Sequence, residues 1–206
     1  FTYPLPYYIG EVFNLIGFGL VGSIKLLSIL SVFFSGVGMF LLGKEFYGKT
    51  GGFLAALFYL YIPYRMVNLY VRGSLGESLS FAIFPFLFLS VYKIVKEKSW
   101  LWIAILALLY GSLLLMHNVS ALLFAPFLLA FALFLLWREK EPLIIGKKLL
   151  IGFVLGIMLA SFFLIPAILE KQLIFLREYL GIGDDVRIFT VSKIENDDLF
   201  RDFFGV

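Results

Sequence analysis

Polar side chains that suit anion binding lie in one short stretch of an otherwise apolar chain. Arg65, Asn68 and Arg72 are spaced i, i+3, i+7, so a helix that continues past Pro63 would present all three on one face. An arginine guanidinium is planar and donates two parallel hydrogen bonds to a phosphate or a carboxylate. The spacing therefore predicts an anion site, and the alternative is a structural clamp between the arginines and Glu77 with headgroup contact.

A second polar point interrupts the long uncharged run from residue 99 to residue 137 near its middle. It consists of His117, the single histidine of the chain, and Asn118. A histidine at a turn between helices is usually a solvated or hydrogen-bonded loop residue. The functional alternative is a hydrogen-bond partner or proton shuttle in a cavity shared with Arg65 and Glu77.

The composition determines which elements must position these residues. Of the 206 residues, 62% are hydrophobic and 15% are charged, and the mean hydropathy is +1.00. A soluble domain carries about 25% charged residues, and a monomer of this length has too little interior for so many apolar side chains. Soluble, disordered and nucleic-acid-binding proteins are therefore excluded. The absence of cysteine and the single histidine exclude disulfides, thiolate nucleophiles and multi-histidine metal sites within the chain.

The pattern predicts an all-α fold, a polytopic transmembrane helical bundle of about six spans. A membrane-spanning helix needs roughly 17–25 mainly apolar residues, and the uncharged runs provide them. We expect small residues such as Gly152 and Gly156 to mark close helix contacts. The predicted spans are residues 23–43, 50–68, 77–93, 99–116, 119–137 and 148–169.

Lysine and arginine collect in alternate loops, which predicts the orientation. Residues 44–50, 93–98 and 138–148 hold nine of the 17 cations. Because cations in short loops stay cytoplasmic, we expect these loops on the inside of a prokaryotic plasma membrane. His117 and the turn with Arg65 and Arg72 are then external.

The chain divides into three predicted regions. Residues 1–22 form an outer interfacial segment, with a short helix from Ile9 to Phe18 and Glu11 as its acid. Residues 23–169 form the transmembrane domain. Residues 170–206 start with an external amphipathic helix and open an extracytoplasmic region. Since the chain begins with Phe1, we expect at least one further membrane helix upstream.

Short motifs resemble two related groups of membrane proteins. The turn Gly43-Lys-Glu-Phe-Tyr-Gly48 and the span ending Pro63-Tyr-Arg65 resemble the central part of GT-C glycosyltransferases. The segments Tyr64-Arg65, Tyr70-Val-Arg-Gly73, Gly76-Glu77, His117-Asn118 and Phe163-Leu-Ile-Pro-Ala167 resemble the family called 6-pyruvoyl-tetrahydropterin synthase-related, over about residues 1–175. The pterin chemistry in that label does not carry over, because pterin synthases hold zinc with several histidines.

The GT-C resemblance implies a transferase that uses a polyprenyl-phosphate-linked sugar at the outer face, with a divalent metal ion as its cofactor. The residues themselves show no cofactor site. The resemblance makes Arg65, Asn68, Tyr70 and Arg72 candidates for the lipid phosphate. It places the essential acid upstream of this chain, so the catalytic residues are unknown, with His117 and Glu77 as candidates.

Two other functions stay open. One is a non-catalytic membrane scaffold or a protein that binds lipid-linked glycans. The other is a transporter, which ranks third because the uncharged runs hold no ionisable residue at mid-membrane and no repeat is visible. The bilayer is the expected partner in each case, and nucleic acid is not.

Overall fold

A computed structural model describes residues 3–169, and within them the chain is helical without strands. The predicted all-α membrane bundle is confirmed. The packing described below concerns residues 3–164, the described part of the first of two compact units. The helices are α1 (Pro4–Phe13), α2 (Gly19–Leu60), α3 (Pro63–Val67), α4 (Leu75–Glu97), α5 (Trp100–Met116), α6 (Asn118–Trp137) and α7 (Pro142–Leu169), with π-helical turns at Asn14–Phe18 and Asn68–Arg72.

The longest helix, α2, is a hairpin of two arms that meet at Gly48. This glycine has φ 70° and ψ −172°, a conformation that only glycine adopts without strain. The arms then run antiparallel in close contact. A methyl group added at Gly52 would lie 2.6 Å from the carbonyl oxygen of Phe40, and one added at Gly36 would lie 3.2 Å from Leu60. The reversal separates the first two predicted spans.

Four helical segments are long and apolar enough to cross a membrane: Pro4–Leu60, α4, α6 and α7. The fifth helix, α5, is apolar but has only 17 residues. With the two arms of α2 counted separately, one helical segment corresponds to each of the six predicted spans, although the second arm, which ends at Leu60, is shorter than a membrane crossing requires. The turn between α5 and α6 falls at His117, as predicted from the polar interruption of that run.

The second predicted span is shorter than expected. It ends at Leu60 rather than at residue 68, because Ile62 precedes Pro63 and is held in an extended conformation (φ −55°, ψ 127°). The chain then restarts as α3, and a π turn follows from Asn68 to Arg72. The regular helix assumed past Pro63 is therefore replaced by one short turn and one wide turn.

The N-terminal helix also differs from its prediction. It starts at Pro4 rather than at Ile9, with prolines in the first turn, where a missing N–H costs nothing. The chain leaves it through Gly17 (φ 109°) and Gly19 (φ 68°), two glycines with a positive φ. The amphipathic helix predicted beyond Leu169 lies outside the described residues.

The central helix of this unit is α4, whose buried residues lie on all its sides. It packs in parallel with the first arm of α2, which turns a stripe of small residues towards it. A methyl group at Gly38 would lie 2.8 Å from the Phe86 ring. Elsewhere in this unit, α5 packs against α7 at Gly152 and Gly156. A methyl group added at Gly156 would lie 2.9 Å from the carbonyl oxygen of Ala107 in α5. The predicted small-residue contact is confirmed.

The lysine-rich end of the bundle is held by ion pairs. Lys93 Nζ lies 2.8 Å from Glu45 of the α2 hairpin and 2.8 Å from Glu97 of its own helix. Lys98 pairs with Glu141 at 3.2 Å, across to the start of α7. The acids of these loops thus connect neighbouring helices, while the side of the membrane that they face remains a prediction.

Candidate functional site

The turn between α3 and α4 is closed by three polar side chains. Arg72 Nη1 lies 3.1 Å from Oε2 of Glu77 and donates a hydrogen bond of 2.9 Å to the Tyr64 hydroxyl. The Tyr64 hydroxyl in turn donates to Oε1 of Glu77. Glu77 is buried and Arg72 is half-exposed. Both oxygens of the carboxylate are therefore used within the turn.

The local sequence explains how this turn forms. Gly73 takes the left-handed conformation (φ 61°, ψ 23°) that ends the π turn, and α4 begins two residues later. Glu77 then falls in the first turn of α4, where a negative charge is favoured by the helix dipole. A methyl group at Gly76 would lie 2.6 Å from the carbonyl oxygen of Met116, so the turn packs directly against the end of α5.

The Arg65 side chain is buried, unlike that of Arg72. Its side chain is 3% exposed, and Nη2 donates to the carbonyl oxygen of Ser31 in α2 at 3.1 Å. The Nε and Nη1 groups are buried and have no hydrogen-bond partner in the described part of the chain. The guanidinium carbon lies 5.8 Å from the ring centre of Tyr59 and 5.6 Å from that of Phe81. Arg65 is thus a buried cation held by rings and one carbonyl.

Asn68 follows Arg65 by three residues and is fully buried. Its Nδ2 group donates to the Ser78 hydroxyl at 3.3 Å, and its Oδ1 atom has no partner within residues 3–169. Tyr70 is 78% exposed, on the outside of the π turn. The four residues predicted to bind a lipid phosphate therefore divide into a buried pair and an exposed pair.

His117 caps α6 at its N-terminus. Its Nδ1 atom accepts the backbone N–H of Ser120 at 3.1 Å, so the proton of the neutral ring resides on Nε2. The ring packs on Tyr3 with centroids 4.7 Å apart. Burial lowers the pKa of His117 below its usual value, the Glu77 carboxylate opposes this shift, and the Arg72 guanidinium adds to it. His117 is a neutral donor at pH 7.

A cavity of about 830 Å³ opens between α1, the start of α2 and the Gly73–Gly76 turn. Its walls include Tyr3, Tyr7, Glu11 and His117. This volume lies within the range of roughly 300–1,000 Å³ that is usual for ligand sites. Tyrosine rings, one carboxylate and one imidazole give it stacking surfaces and both hydrogen-bond donors and acceptors.

The structure brings some of the predicted residues together and separates others. His117 lines the cavity, and Arg72 and Glu77 flank the glycine turn that forms one wall. Arg65 lies apart from the cavity, buried between α2 and α4. The cavity that His117 lines is therefore not shared with Arg65 and Glu77, contrary to the prediction from the sequence, because neither of these side chains lines it. The π turn separates the arginines, since it winds more widely than the α-helix assumed for the i, i+3, i+7 spacing.

Two residues of the site were difficult to predict from the sequence. Tyr64 stood out only as part of a family motif, because its bonds to Arg72 and Glu77 depend on the turn. Glu11 was noted as an acid of the N-terminal segment, but nothing in its spacing connects it with His117, more than a hundred residues away.

A divalent metal, which the GT-C resemblance implied, does not fit these side chains. Among residues 3–169, no three histidine, aspartate or glutamate side chains lie close enough to hold a metal ion. Glu77 is bound to Arg72 and Tyr64, and the cavity wall includes one carboxylate residue, Glu11. We therefore derive no chemistry through a metal.

Comparison with known proteins identifies the family. An "Uncharacterized protein" of Lactococcus lactis subsp. cremoris (strain MG1363) is 29% identical over 172 residues, which cover 79% of this chain and 28% of that protein. The chain thus spans less than a third of this relative's length. No solved structure matches. Residues 1–179 match the family described as "6-pyruvoyl-tetrahydropterin synthase related domain; membrane protein", close to the extent of the predicted resemblance. The chain belongs to this family of membrane proteins.

Proposed function

We propose that this chain is the membrane part of a glycosyltransferase that takes a sugar from a polyprenyl phosphate at the outer membrane face. The proposal rests mainly on the cavity between α1 and the Gly73–Gly76 turn. It lies at the end of the bundle opposite the lysine-rich loops, and the predicted positive-inside orientation favours an external position for it. The match covers 28% of the relative from Lactococcus lactis, and we propose that the site is completed by other parts of a longer protein.

The lining of the cavity suits a sugar. Tyr3 and Tyr7 offer flat apolar faces with hydroxyl groups, and such amphipathic rings pack against a pyranose while bonding its hydroxyls. His117 offers an Nε2–H donor, because its Nδ1 atom is occupied by Ser120. Of the candidate sugar contacts, His117 is the best fixed, since the cap and the Tyr3 ring hold its orientation.

We propose different roles for the predicted catalytic residues. Glu77 is a poor base, since its two oxygens already accept from Tyr64 and Arg72. His117 is a poor base as well, because its free nitrogen carries the proton. Glu11 is exposed on the cavity wall and is held by the side chain of Asn14 at 3.3 Å. We assign to Glu11 the removal of a proton from the acceptor hydroxyl.

The arginines also receive different roles. Arg72 stabilises the turn through Glu77 and Tyr64, and we assign it no contact with the lipid. Arg65 has two N–H groups without a partner and is the better candidate for the phosphate itself. Asn68 is a weaker candidate, because its Nδ2 donor is bonded to Ser78 and its unpartnered atom is a carbonyl oxygen, an acceptor that does not bond a phosphate.

Glycosyl transfer by the full-length protein in lipid nanodiscs tests the proposal, with polyprenyl-phosphate sugars as donors. If Glu11 is the base, Glu11→Gln lowers kcat by about 100-fold or more, as expected for the loss of a general base. Glu139→Gln, an acid at the other end of the bundle, is the matched control and leaves turnover unchanged. Equal turnover by the Glu11→Gln variant and the native protein would disprove the assignment of the base.

A non-catalytic protein that binds lipid-linked glycans is the second candidate. It is favoured by the single carboxylate residue on the cavity wall in the part of the chain that the structure describes. In the same experiment, this alternative predicts that the polyprenyl-phosphate sugar is bound and recovered intact. Release of the free polyprenyl phosphate supports the transferase instead.

A further inference from the structure

An apolar groove lies on the side of Arg65 away from the proposed sugar cavity. Its volume is about 360 Å³, and its lining is entirely apolar. Aromatic rings form most of it, with Phe84 stacked on Phe124 at 3.9 Å between centroids and Phe88 against the same ring at 5.1 Å. The groove is formed by α2, α4 and α6, within the membrane-spanning part of the bundle.

The groove and the buried arginine share two side chains. Tyr59 and Phe81 line the groove, and the same two rings contact the Arg65 guanidinium. The Tyr59 hydroxyl donates to the backbone carbonyl oxygen of Phe81 at 2.8 Å, which holds the Tyr59 ring against α4. A charge at one end of an apolar groove is the pattern that an anionic amphiphile requires.

Arg65 lacks what a buried charge normally has. A buried cation is costly unless it is paired and fully hydrogen-bonded, yet Nε and Nη1 have no partner within residues 3–169. No carboxylate of the described residues lies within ion-pair distance of it, and aromatic faces compensate only partly. An anion at this point would satisfy both N–H groups, and the planar fork suits a phosphate.

We propose that Arg65 and this groove together bind one anionic single-chain lipid, with its phosphate on the guanidinium and its hydrocarbon chain along Phe84, Phe88 and Phe124. Because the unpartnered nitrogens are shielded, binding requires the Tyr59 or Phe81 ring to swing aside. The inference deepens the proposed function and rests on it only for the identity of the lipid as the sugar carrier. Binding itself is independent of any transfer reaction.

Farnesyl phosphate is a suitable probe, with farnesol and inorganic phosphate as separate arms. The protein is placed in nanodiscs of phosphatidylcholine, so that no anionic lipid competes. Farnesyl phosphate raises the thermal unfolding midpoint, whereas farnesol or phosphate alone leaves it unchanged. An equal rise with farnesol would overturn the role of the charge, and a rise with inorganic phosphate alone would overturn the role of the groove.

Arg65→Gln and Arg72→Gln form the decisive pair, since each removes one arginine of the segment between α2 and α4. Arg65→Gln weakens farnesyl phosphate binding by about tenfold or more, the loss expected for one charge-assisted contact. Arg72→Gln changes the dissociation constant less than about twofold, because its partner is Glu77. Unchanged binding by Arg65→Gln, or an equal loss in both variants, contradicts the proposal.

The unfolding midpoint of each variant without ligand is the control that shows whether the variant still folds. Removal of an unpaired buried charge leaves the unfolding midpoint of Arg65→Gln unchanged or raises it, so a loss of binding is not a loss of fold. Filling the groove by Met39→Trp weakens binding, while Leu41→Trp on the neighbouring face does not. Equal affinity of these two variants counts against the groove.

The outcomes separate the inference from the proposed function. Sugar transfer that persists in Arg65→Gln, together with unchanged farnesyl phosphate binding, overturns this lipid site and leaves the transferase. Specific farnesyl phosphate binding without any sugar transfer supports the lipid site and rejects the transferase.

Discussion

Arg72 Nη1 lies 3.1 Å from Oε2 of Glu77, five residues further along the chain and across a glycine turn. One of the two arginines that the sequence offered as phosphate ligands therefore has a carboxylate partner already. The other, Arg65, is buried and has none among the described residues. The structural clamp and the anion site were alternatives for both arginines. The geometry favours the clamp for Arg72 and the anion site for Arg65.

The Arg72–Glu77 pair is expected to stabilise the turn between α3 and α4. Arg72→Gln and Glu77→Gln should each lower the unfolding free energy, and the double variant should lose less than the sum. A coupling energy of about 1 kcal/mol is expected for a pair with one half-exposed and one buried partner. Unfolding in mixed micelles with SDS measures it, and a coupling energy near zero would contradict the clamp.

The α2 hairpin should depend on Gly52. A methyl group there meets the Phe40 carbonyl oxygen at 2.6 Å and the Lys44 nitrogen at 2.9 Å, both backbone atoms that cannot rotate away. Gly52→Ala should therefore cost about 1–3 kcal/mol, the usual range for overpacking. Gly146→Ala is the matched control, because its nearest atom would be 3.8 Å away. Thermal unfolding compares the two, and equal midpoints would count against the hairpin.

The stability of the fold should fall as the pH drops below about 6.5, through His117. Because burial lowers its folded pKa, the unfolded state takes up the proton first. The loss of stability begins as the pH falls through the unfolded pKa and is complete below the folded pKa. Above the unfolded pKa the ring is neutral in both states, so His117 makes no pH-dependent contribution there. Protonation also removes the Nδ1 acceptor that caps α6 at Ser120.

Unfolding midpoints at pH 5 and pH 7.5 test this dependence. His117→Asn keeps a side-chain oxygen that can cap the helix, so it should retain stability at pH 7.5 and lose less of it at pH 5. An unchanged pH dependence in this variant would show that other groups are responsible.

The orientation of the bundle is open to a direct test, because the chain contains no cysteine. Tyr70→Cys, at a position that is 78% exposed, should react with an impermeant maleimide on intact cells. Lys140→Cys, at the lysine-rich end, should react only after permeabilisation. The reverse pattern would invert the sidedness, and with it the proposed external site.

The sequence alone determined the class and the course of the chain. Residues 99–137 contain too many apolar side chains for one crossing, and His117-Asn118 is their one polar interruption, so the turn had to fall there. Glycines at 17, 19 and 48 take positive φ angles that residues with a side chain rarely adopt, and each of them interrupts a helical stretch. Such features are local, and a local pattern is sufficient to predict them.

Tertiary structure decided which polar groups meet. The spacing of Arg65 and Arg72 suggested one face, but the break at Pro63 and the π turn directed one guanidinium to Ser31 in α2 and the other to Glu77. Glu11 and His117 share a cavity only because α1 folds back over the ends of α4 and α5. Contacts between residues so distant in the chain depend on how the helices pack, and no spacing within a single helix encodes that packing.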